Sequence, residues 1–392
     1  AKYMSFAEGV EEGLIRFVGD DCKRALYDAI ESRQVRPGLC KTAGLKLVYS
    51  PLNGSGLVPV TQVLKDIGIT DITIVPEQEY PNGYFTTCSY PNPEIFAALE
   101  LGLNLAKETD ADLMLATDPD ADRLGVRVKD RNGEYHDLTG NMSGCLLANY
   151  ELSQRKAVNG SLPEDGALVK TIVTTNLADA IAKGYGVNLI EVLTGFKYIG
   201  QQILGFENSG KGTYLFGFEE SYGCLIGTYA RDKDAIVATM ALCEAAAYYK
   251  TQGKTLWDAM IDMYEEFGYY KDAIQAVTMK GIEGLQKIQE IMTTLRQNPP
   301  AEFAGHKVTA VRDYKLDEIT DLATGEKKPT GLPNSNVLYY ELTDDAWVCV
   351  RPSGTEPKVK FYYGVKGTSL ADADEKSDAM GKAVLEMVDS MK

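Results

Sequence analysis

Three aspartates at alternate positions are the residues of this 392-residue chain most suggestive of chemistry. Asp118, Asp120 and Asp122 lie in the segment TDPDADRLG, and Arg123 follows them directly. Side chains at positions i, i+2 and i+4 of an extended or gently curled segment share one side. Three carboxylates that close repel one another unless a cation lies among them. Because carboxylate oxygens suit Mg²⁺, the spacing predicts a magnesium site.

An EF-hand calcium loop is the main competing interpretation of this segment, and it fails at two positions. With Asp118 as position 1, position 6 is Arg123 instead of glycine, and position 12 is Lys129 instead of glutamate. A solvated acidic turn at the end of a strand is the structural alternative. The apolar run LMLAT before the aspartates and the arginine after them favour the metal site.

Two further loops carry groups that recognise hydroxyls or phosphates. In FGFEESYGCLIG, Glu219, Glu220 and Ser221 follow a predicted strand, where carboxylates can accept paired hydrogen bonds from sugar hydroxyls. A helix N-terminus with an acidic first turn has a similar sequence. The segment RPSGTEPKVKFYY suits a phosphate dianion, although a tight hairpin turn has a similar composition. Its candidate phosphate ligands are Arg351, Ser353, Gly354, Thr355 and Lys358.

Cations in predicted loops form a fourth group. They are Lys197 in TGFKYIG (194–200) and Arg231 and Lys233 in ARDKDAI (230–236). Each alone is a typical surface charge, so their importance depends on whether the fold brings them to the other loops. Two glycine-rich segments do not match nucleotide-binding loops. GFENSGKG (205–212) lacks the Ser or Thr of a P-loop and is predicted to be a polar turn. NGSG (53–56) is followed by Pro59, which does not fit a dinucleotide-binding fingerprint.

Composition narrows the class of function. The chain has 40 Lys and Arg against 56 Asp and Glu, a formal charge of −16, which disfavours binding to nucleic acid or to an anionic membrane. It contains no run of about 18 apolar residues. Seven scattered cysteines without a C-x-x-C pair indicate reduced thiols in a cytoplasmic protein. Two histidines, neither near a candidate nucleophile, argue against histidine-based catalysis.

The predicted elements place these loops at the ends of strands. Strands at 45–51, 72–76 and 113–118 alternate with helices at 57–68 and 92–110, and a hairpin turns at Asn132-Gly133. A second stretch of the same rhythm runs from about 140 to 268. From about 269, predicted helices at 281–296 and 369–391 bracket antiparallel strands at 336–342, 346–352 and 358–366. We predict two mixed α/β sheet domains followed by an α+β domain with an antiparallel sheet.

Taken together, the four loops resemble those of the α-D-phosphohexomutase superfamily, which includes phosphoglucomutase and phosphomannomutase. DPDADR resembles its metal loop, GFEESYG its sugar-recognition loop and RPSGTEPKVKF its phosphate-binding loop, with TGFKYIG and RDKD as supporting loops. The sequences of YPNPE (90–94), GFEESYG and RDKD resemble those of the bacterial phosphoglucomutase branch most. The resemblance covers nearly the whole chain and implies phosphohexomutase domains II, III and IV at 1–140, 141–268 and 269–392.

The resemblance also implies a reaction and a set of roles. Family members move a phosphoryl group reversibly between the 1- and 6-positions of a hexose phosphate, glucose or mannose, through a phosphoserine and a sugar bisphosphate. Mg²⁺ is the implied cofactor and sugar 1,6-bisphosphate the implied activator. The implied roles are metal binding for Asp118, Asp120 and Asp122; contact with the transferring phosphoryl for Arg123 and Lys233; sugar binding for Gly195, Lys197, Glu219 and Ser221; and phosphate binding for Arg351, Ser353, Gly354, Thr355 and Lys358.

Other functions remain open at this stage. A phosphopentomutase or a sugar-bisphosphate synthase of the same superfamily would carry similar loops. A haloacid-dehalogenase-type phosphatase also has D-x-D after a strand, but it usually has Thr or Val at the fifth position, where this chain has Asp122, and no later acidic pair is evident. A non-enzymatic alternative is that the chain only binds sugar phosphate and Mg²⁺.

The resemblance predicts that this chain alone binds its ligands without turning them over. Family members carry the catalytic serine in a first domain with a TASHNP-like motif, and this sequence, which begins with Ala1, contains no Ser-His-Asn. We therefore expect domain I to be absent and the phosphoserine to be missing with it. Conversion of glucose 1-phosphate to glucose 6-phosphate, assayed with Mg²⁺ and catalytic bisphosphate, should be undetectable until the missing domain is added; measurable conversion by the 392 residues would contradict this.

Overall fold

A computed structural model of the chain describes residues 3–279, 281–353 and 357–391, without the side chain of Ile282. Three sheets follow one another along the chain, within 46–138, 166–226 and 269–367. The predicted fold class, two mixed α/β sheets followed by an antiparallel sheet, is confirmed. The exact domain division at 1–140, 141–268 and 269–392 stays a prediction. Among the described helices, none combines the length and the apolar character needed to cross a bilayer.

The first unit is a mixed five-stranded sheet with flanking helices. Its strand order is β2-β1-β3-β4-β5, with β1, β2 and β3 parallel and β4 and β5 antiparallel. The elements are α1 Phe6–Glu11, α2 Asp20–Glu31, α3 Cys40–Ala43, β1 Lys46–Ser50, α4 Leu57–Asp66, β2 Asp71–Ile74, α5 Glu100–Thr109, β3 Leu113–Thr117, β4 Leu124–Lys129 and β5 Tyr135–Leu138.

The helix predicted at 92–110 is wrong in its first part. A short 3₁₀ turn, Phe96–Leu99, precedes α5, and residues 92–95 form a loop. Asn92 precedes Pro93, which disfavours helical backbone, and its Oδ1 accepts a hydrogen bond from the Glu94 amide at 2.9 Å. This local turn competes with helix formation and lets Glu94 face the edge of the sheet.

The second unit is a four-stranded mixed sheet of order β7-β6-β8-β9, in which β6 is parallel to β7 and β8. The segment 205–209, expected as a turn, is the end of α8, which stops where Gly210 adopts φ 61°. The elements are α6 Gly140–Asn159, β6 Gly166–Thr171, α7 Leu177–Tyr185, β7 Asn188–Val192, α8 Phe196–Ser209, β8 Thr213–Phe218, β9 Cys224–Ile226, α9 Ala235–Thr251 and α10 Leu256–Phe267.

One continuous apolar core holds the first two units together. It runs from Leu47 on β1 through Leu146 on α6 to Phe218 on β8. Hydrogen bonds to the buried Glu244 of α9 also connect the two units. Its carboxylate accepts from the amides of Val35 at 2.9 Å and Arg36 at 3.0 Å. Strand ends of the two units are therefore fixed relative to each other.

The third unit is an antiparallel sheet of order β10-β17-β16-β15-β12-β13-β14, with β11 paired to β12. The three strands predicted here are confirmed as β15, β16 and β17. Polar alternation and short length hid β10 to β14 from sequence analysis. The elements are β10 Tyr269–Thr278, α11 Gly281–Gln297, β11 Glu302–Phe303, β12 His306–Asp313, β13 Glu318–Asp321, β14 Lys327–Lys328, β15 Leu338–Leu342, β16 Trp347–Pro352, β17 Lys358–Gly367 and α12 Leu370–Ser390.

An ion-pair network joins the third unit to the second beside a small apolar cluster. Arg312 on β12 donates to Glu191 of β7 at 2.8 Å and to Glu341 of β15 at 2.6 Å, and its guanidinium lies over the Tyr339 ring. The Lys170 ammonium is 3.6 Å from Glu191. Burial alone would raise the pKa of Glu191, but the charges of Lys170 and Arg312 together lower it below its ordinary value.

We predict that Arg312→Met lowers the free energy of unfolding by about 1–3 kcal/mol, because it leaves two carboxylates of a partly buried network without their guanidinium. Urea denaturation followed by tryptophan fluorescence measures the effect. Lys327→Met breaks an exposed pair with Glu318 in the same unit and should cost about 0.5 kcal/mol or less. Equal shifts of the two variants would show that the Arg312 network adds nothing to stability.

Candidate active site

The predicted loops surround one cleft of about 730 Å³ between the three units. The first unit contributes residues of the 92–96 segment and Arg123, which directly precedes β4. The second contributes the end of β8 and the start of α8, and the third contributes strands of its sheet. Carboxyl ends of parallel strands meet at one edge of an α/β sheet, which is where such folds bind ligands. Arg123, Gly195, Glu219, Ser221 and Arg351 are predicted site residues that line this cleft.

The metal loop is a tight turn at the end of β3. The Asp118 Oδ1 atom accepts hydrogen bonds from the amides of Asp122 at 3.0 Å and Arg123 at 2.9 Å. Ala121 adopts φ 58°, which curls the segment back on itself. As a result, one carboxylate oxygen each of Asp118, Asp120 and Asp122 lies within 4.8 Å of the others.

The three carboxylates fit a divalent cation. The Oδ1 atom of Asp122 is buried and accepts no hydrogen bond from the described residues, which is costly unless a ligand satisfies it. Burial raises the pKa of Asp118 to about 7, and the negative charges of Asp122 and Asp120 act in the same direction. An all-oxygen donor set with an unsatisfied ligand atom suits Mg²⁺.

A second trio on the β4–β5 hairpin, Asp130, Glu134 and His136, has the spacing of a metal site but is already engaged. Asp130 Oδ1 accepts from the amides of Asn132 and Glu134, and its Oδ2 lies 3.0 Å from His136 Nε2. The His136 ring stacks on Trp257 with centroids 4.0 Å apart. Hydrogen bonding to His136 lowers the pKa of Asp130 to about 2. We interpret this trio as turn structure.

Both predicted catalytic cations lie at the metal loop. Lys233 Nζ is 2.9 Å from Asp122 Oδ2. Arg123 Nε is 3.8 Å from Asp118 Oδ2 and 3.7 Å from Asp122 Oδ1, and its Nη1 donates to Glu94 Oε1 at 2.5 Å. Sequence analysis quoted Glu94 within YPNPE but assigned it no role. The only local signal was an acidic residue in an Asx turn.

The second unit positions Lys233 against the first. Asp234 caps α9 by accepting from the Ile236 amide at 2.7 Å, and the Ala235 amide donates to the Ala121 carbonyl of the metal loop at 3.0 Å. A Cβ atom on Gly223 would lie 2.0 Å from Lys233 Cδ, so only glycine lets the lysine stem pass toward the aspartates.

The sugar-recognition loop forms another part of the cleft wall. Glu219 is 5% exposed, and its Oε1 accepts from the Gly195 amide at 3.0 Å, while Ser221 Oγ lies 3.5 Å from Oε2. Burial raises the pKa of Glu219, and the charge of Lys233 opposes that rise. Lys197 is exposed, with its ammonium over the Tyr198 ring, and is not among the described residues that line the cleft.

The predicted phosphate loop is described in part. Arg351 lines the cleft beside Lys360, its register partner on β17, and the Ser353 amide donates to the Lys358 carbonyl at 2.8 Å. Gly354 and Thr355 lie outside the described residues. Lys358 is not among the described cleft-lining residues. Sequence analysis missed Lys360, although the alternation in KVKF places it on the same strand face as Lys358.

Several other cleft residues are not among those to which the resemblance assigned a role. They come from loop and strand positions brought together by the fold, namely Asn92, Phe96, Thr139, Asn141, Val173, Thr194, Glu220, Tyr222, Asp272, Ala273, Ile274, Trp347 and Tyr362. Sequence analysis named Glu220 among the carboxylates of FGFEESYGCLIG. Thr194 and Tyr222 are sequence neighbours of predicted site residues, and this adjacency was the only sequence feature that could have identified them. Asp272 and Asn141 had no such feature.

Comparison with known families gives three consecutive matches. Family models of phosphoglucomutase/phosphomannomutase match as alpha/beta/alpha domain II at residues 26–133, alpha/beta/alpha domain III at 139–267 and the C-terminal domain at 300–379. Phosphoglucomutases of Staphylococcus aureus strains MRSA252 and bovine RF122/ET3-1 are each 36% identical over 358 residues, which is 91% of this chain and 63% of theirs. The chain thus spans less than two thirds of the length of these curated relatives.

Solved structures share the fold at low sequence identity. A Thermus thermophilus protein assigned as a phosphomannomutase aligns with a TM-score of 0.65 at 20% identity, over 94% of this chain and 66% of that one. The open form of the Paramecium phosphoglucomutase pp63/parafusin aligns with a TM-score of 0.63 at 17% identity, over 94% of this chain and 61% of that one.

We predict that the chain binds one Mn²⁺, used as a spectroscopic probe for Mg²⁺, at the three aspartates. Asp120→Asn and Asp122→Asn should each weaken binding about tenfold or more, because each removes a charged ligand. Electron paramagnetic resonance of free Mn²⁺ in a titration measures the affinity. Asp130→Asn alters the second trio and is the matched control. Loss of Mn²⁺ binding in the Asp130 variant alone would place the metal on the hairpin instead.

Proposed function

The chain belongs to the phosphoglucomutase/phosphomannomutase family, and on that basis we propose that it is the metal- and sugar-phosphate-binding part of a phosphohexose mutase. The observation that carries this proposal is the arrangement of charge around one cleft. Arg123 lines one wall, and behind it lie the three aspartates and Lys233, whereas Arg351 with Lys360 lies on another wall, formed by a different unit. A sugar with phosphates at two positions fits two separate cationic groups.

The proposed reaction transfers a phosphoryl group between the 1- and 6-positions of a glucose or mannose phosphate. A sugar hydroxyl attacks the phosphorus of a phosphoserine, the bond from phosphorus to the serine oxygen breaks, the hydroxyl proton ends on that oxygen, and a sugar 1,6-bisphosphate forms. After the sugar reorients, the serine hydroxyl attacks the other phosphate, whose bond to the sugar oxygen breaks, and the proton ends on the sugar. Because the chain contains no Ser-His-Asn segment, we propose that this serine comes from outside the 392 residues. Added sugar 1,6-bisphosphate would act as activator.

The metal loop serves the transferring phosphoryl group in this proposal. Asp118, Asp120 and Asp122 would hold Mg²⁺, which when bound stabilises the negative charge of the transferring group. Arg123 and Lys233 add positive charge at the same place, and such fixed charges account for much of phosphoryl-transfer catalysis. Their carboxylate partners hold them in position before substrate arrives, so little reorganisation is needed during the reaction.

The remaining predicted residues hold the sugar and its second phosphate. We propose that Glu219 accepts hydrogen bonds from ring hydroxyls and that Ser221 donates to them, with Gly195 keeping the Glu219 carboxylate in place. Lys197 would join them only by reaching into the cleft from outside. The non-reacting phosphate would be bound by Arg351, Ser353, Gly354, Thr355 and Lys358, to which the structure adds Lys360 as a neighbour of Arg351.

Two alternatives are weaker. A haloacid-dehalogenase-type phosphatase is disfavoured by the family membership and by Asp122, whose side chain joins the other two aspartates instead of leaving a D-x-D pair. A phosphopentomutase or a bisphosphate synthase shares the loops, but the similar proteins named above are phosphoglucomutases and phosphomannomutases. Seven free cysteines are consistent with the cytoplasmic location that we propose.

We predict that the chain binds glucose 6-phosphate and that Arg351→Met weakens this binding about tenfold to hundredfold, because charge-assisted hydrogen bonds to the phosphate are lost. Isothermal titration calorimetry measures the affinity. Arg131→Met removes an exposed arginine that pairs with Asp258 and should leave the affinity unchanged. Equal affinities of the wild-type chain for glucose and glucose 6-phosphate would argue against a phosphosugar site.

A further inference from the structure

The third unit presents one face of three neighbouring strands to the cleft. Side chains form rows across the sheet because β10, β17 and β16 are antiparallel and in register. In one row, Asp272 pairs with Gly364, which pairs with Trp347. In a second row, four residues away along β17, Lys360 pairs with Arg351. Alternate residues of a strand share a face. The members of these rows that line the cleft are Asp272, Ile274, Trp347, Arg351, Lys360 and Tyr362.

This wall is polarised along the strands. Arg351 and Lys360 form a cationic end, and Asp272 beside Trp347 forms an acidic and aromatic end. Four residues of β17 separate the two rows, a distance of about 13 Å between backbone positions at the usual rise of a strand. A phosphate group is attracted to the first end and repelled from the second.

Gly364 keeps the acidic end open. A Cβ atom at this position would lie 2.3 Å from Trp347 Nε1 and 2.4 Å from Asp272 Oδ1. Because glycine occupies the middle of the row, the carboxylate and the indole edge approach each other over bare backbone. Any larger residue at this position would force one of these two polar groups to move.

We propose that Asp272 is a specificity-determining residue that accepts a hydrogen bond from a sugar ring hydroxyl other than those bound by Glu219 and Ser221. The inference rests on the proposed function, since it concerns the same cleft. A carboxylate at the end of this wall away from the phosphate-binding cations favours an uncharged donor, and a sugar hydroxyl is such a group. Sites that bind a hydroxyl in this way reject analogues that lack it, because the buried acceptor is then left unpaired.

A purely structural role for Asp272 predicts something different. Burial raises the pKa of Asp272 to about 7, while the Thr175 side chain and the charges of Lys170 and Lys271 lower it. Asp272 is therefore also near groups of the junction between the second and third units. If this were its only role, its replacement would weaken every sugar phosphate by the same factor.

Deoxy analogues separate the two roles. The affinities of glucose 1-phosphate and of its 2-, 3- and 4-deoxy analogues are measured by calorimetry for the wild-type chain, Asp272→Asn and Glu219→Gln. We expect Asp272→Asn to weaken glucose 1-phosphate about tenfold to hundredfold. In Asp272→Asn, removal of one of the three hydroxyls should no longer reduce the affinity, whereas removal of either of the other two should reduce it as in wild type. In Glu219→Gln, the hydroxyl whose removal no longer matters should be a different one. Asp374→Asn, on an exposed carboxylate paired with the neighbouring Lys271, should behave as wild type.

The outcomes distinguish the inference from the function on which it rests. If the wild-type chain binds no hexose phosphate, the proposed function fails. If the wild-type chain binds hexose phosphates, and Asp272→Asn lowers the affinity for every analogue by the same factor or leaves all affinities unchanged, only the proposed role of Asp272 is wrong. Thermal denaturation verifies folding; if Asp272→Asn does not fold, Asp272→Glu keeps the charge but shifts the carboxylate, and an unchanged pattern of deoxy sensitivities in that variant overturns the inference.

Discussion

Repulsion among three carboxylates in a partly buried turn is the constraint on which the site depends. The turn holds Asp118, Asp120 and Asp122 so close that their charges destabilise one another. Backbone amides and the cations Arg123 and Lys233 offset part of this repulsion, yet one buried oxygen stays unsatisfied among the described residues. In the function that we propose, the same imbalance that costs stability would create affinity for a divalent cation and, through it, for a phosphoryl group.

The fold maintains this imbalance by fixing two units against each other. The shared core of the first two units leaves the metal loop little freedom to spread its carboxylates. Close contacts also restrain the metal loop at Pro119. A Cβ atom on Gly54 would lie 2.3 Å from Pro119 Cα, and the Ser55 amide donates a hydrogen bond to the Pro119 carbonyl at 2.8 Å. Lys233 reaches the loop over Gly223 from the second unit. Small residues thus permit contacts that a larger side chain would block.

The parts of the site that sequence predicts are those encoded within one loop. The spacing of the aspartates, with Arg123 directly behind them, places four functional groups within six residues, so no tertiary knowledge is needed. Glu94 and Asp272 depend on strand register and on packing between units, which no local pattern records. The same limit explains the fold: buried strands such as β3 were predicted, whereas half-exposed β10, with charged and apolar residues mixed, was not.

In the function that we propose, the placement of charge lets an acidic chain bind phosphorylated sugars. With a formal charge of −16, the chain as a whole repels a phosphate, so local attraction would come from the cations that line the cleft, Arg123, Arg351 and Lys360. Arg123 lies on one wall, Arg351 and Lys360 lie on another, and Lys233 pairs with Asp122 of the metal loop. We therefore propose that a bisphosphate is held at both ends while its ring lies between walls that offer carboxylates to its hydroxyls. Because the two cationic groups are separate, exchanging the ends of such a sugar would again place one phosphate at each group. That exchange is the geometric requirement of the mutase reaction that we propose.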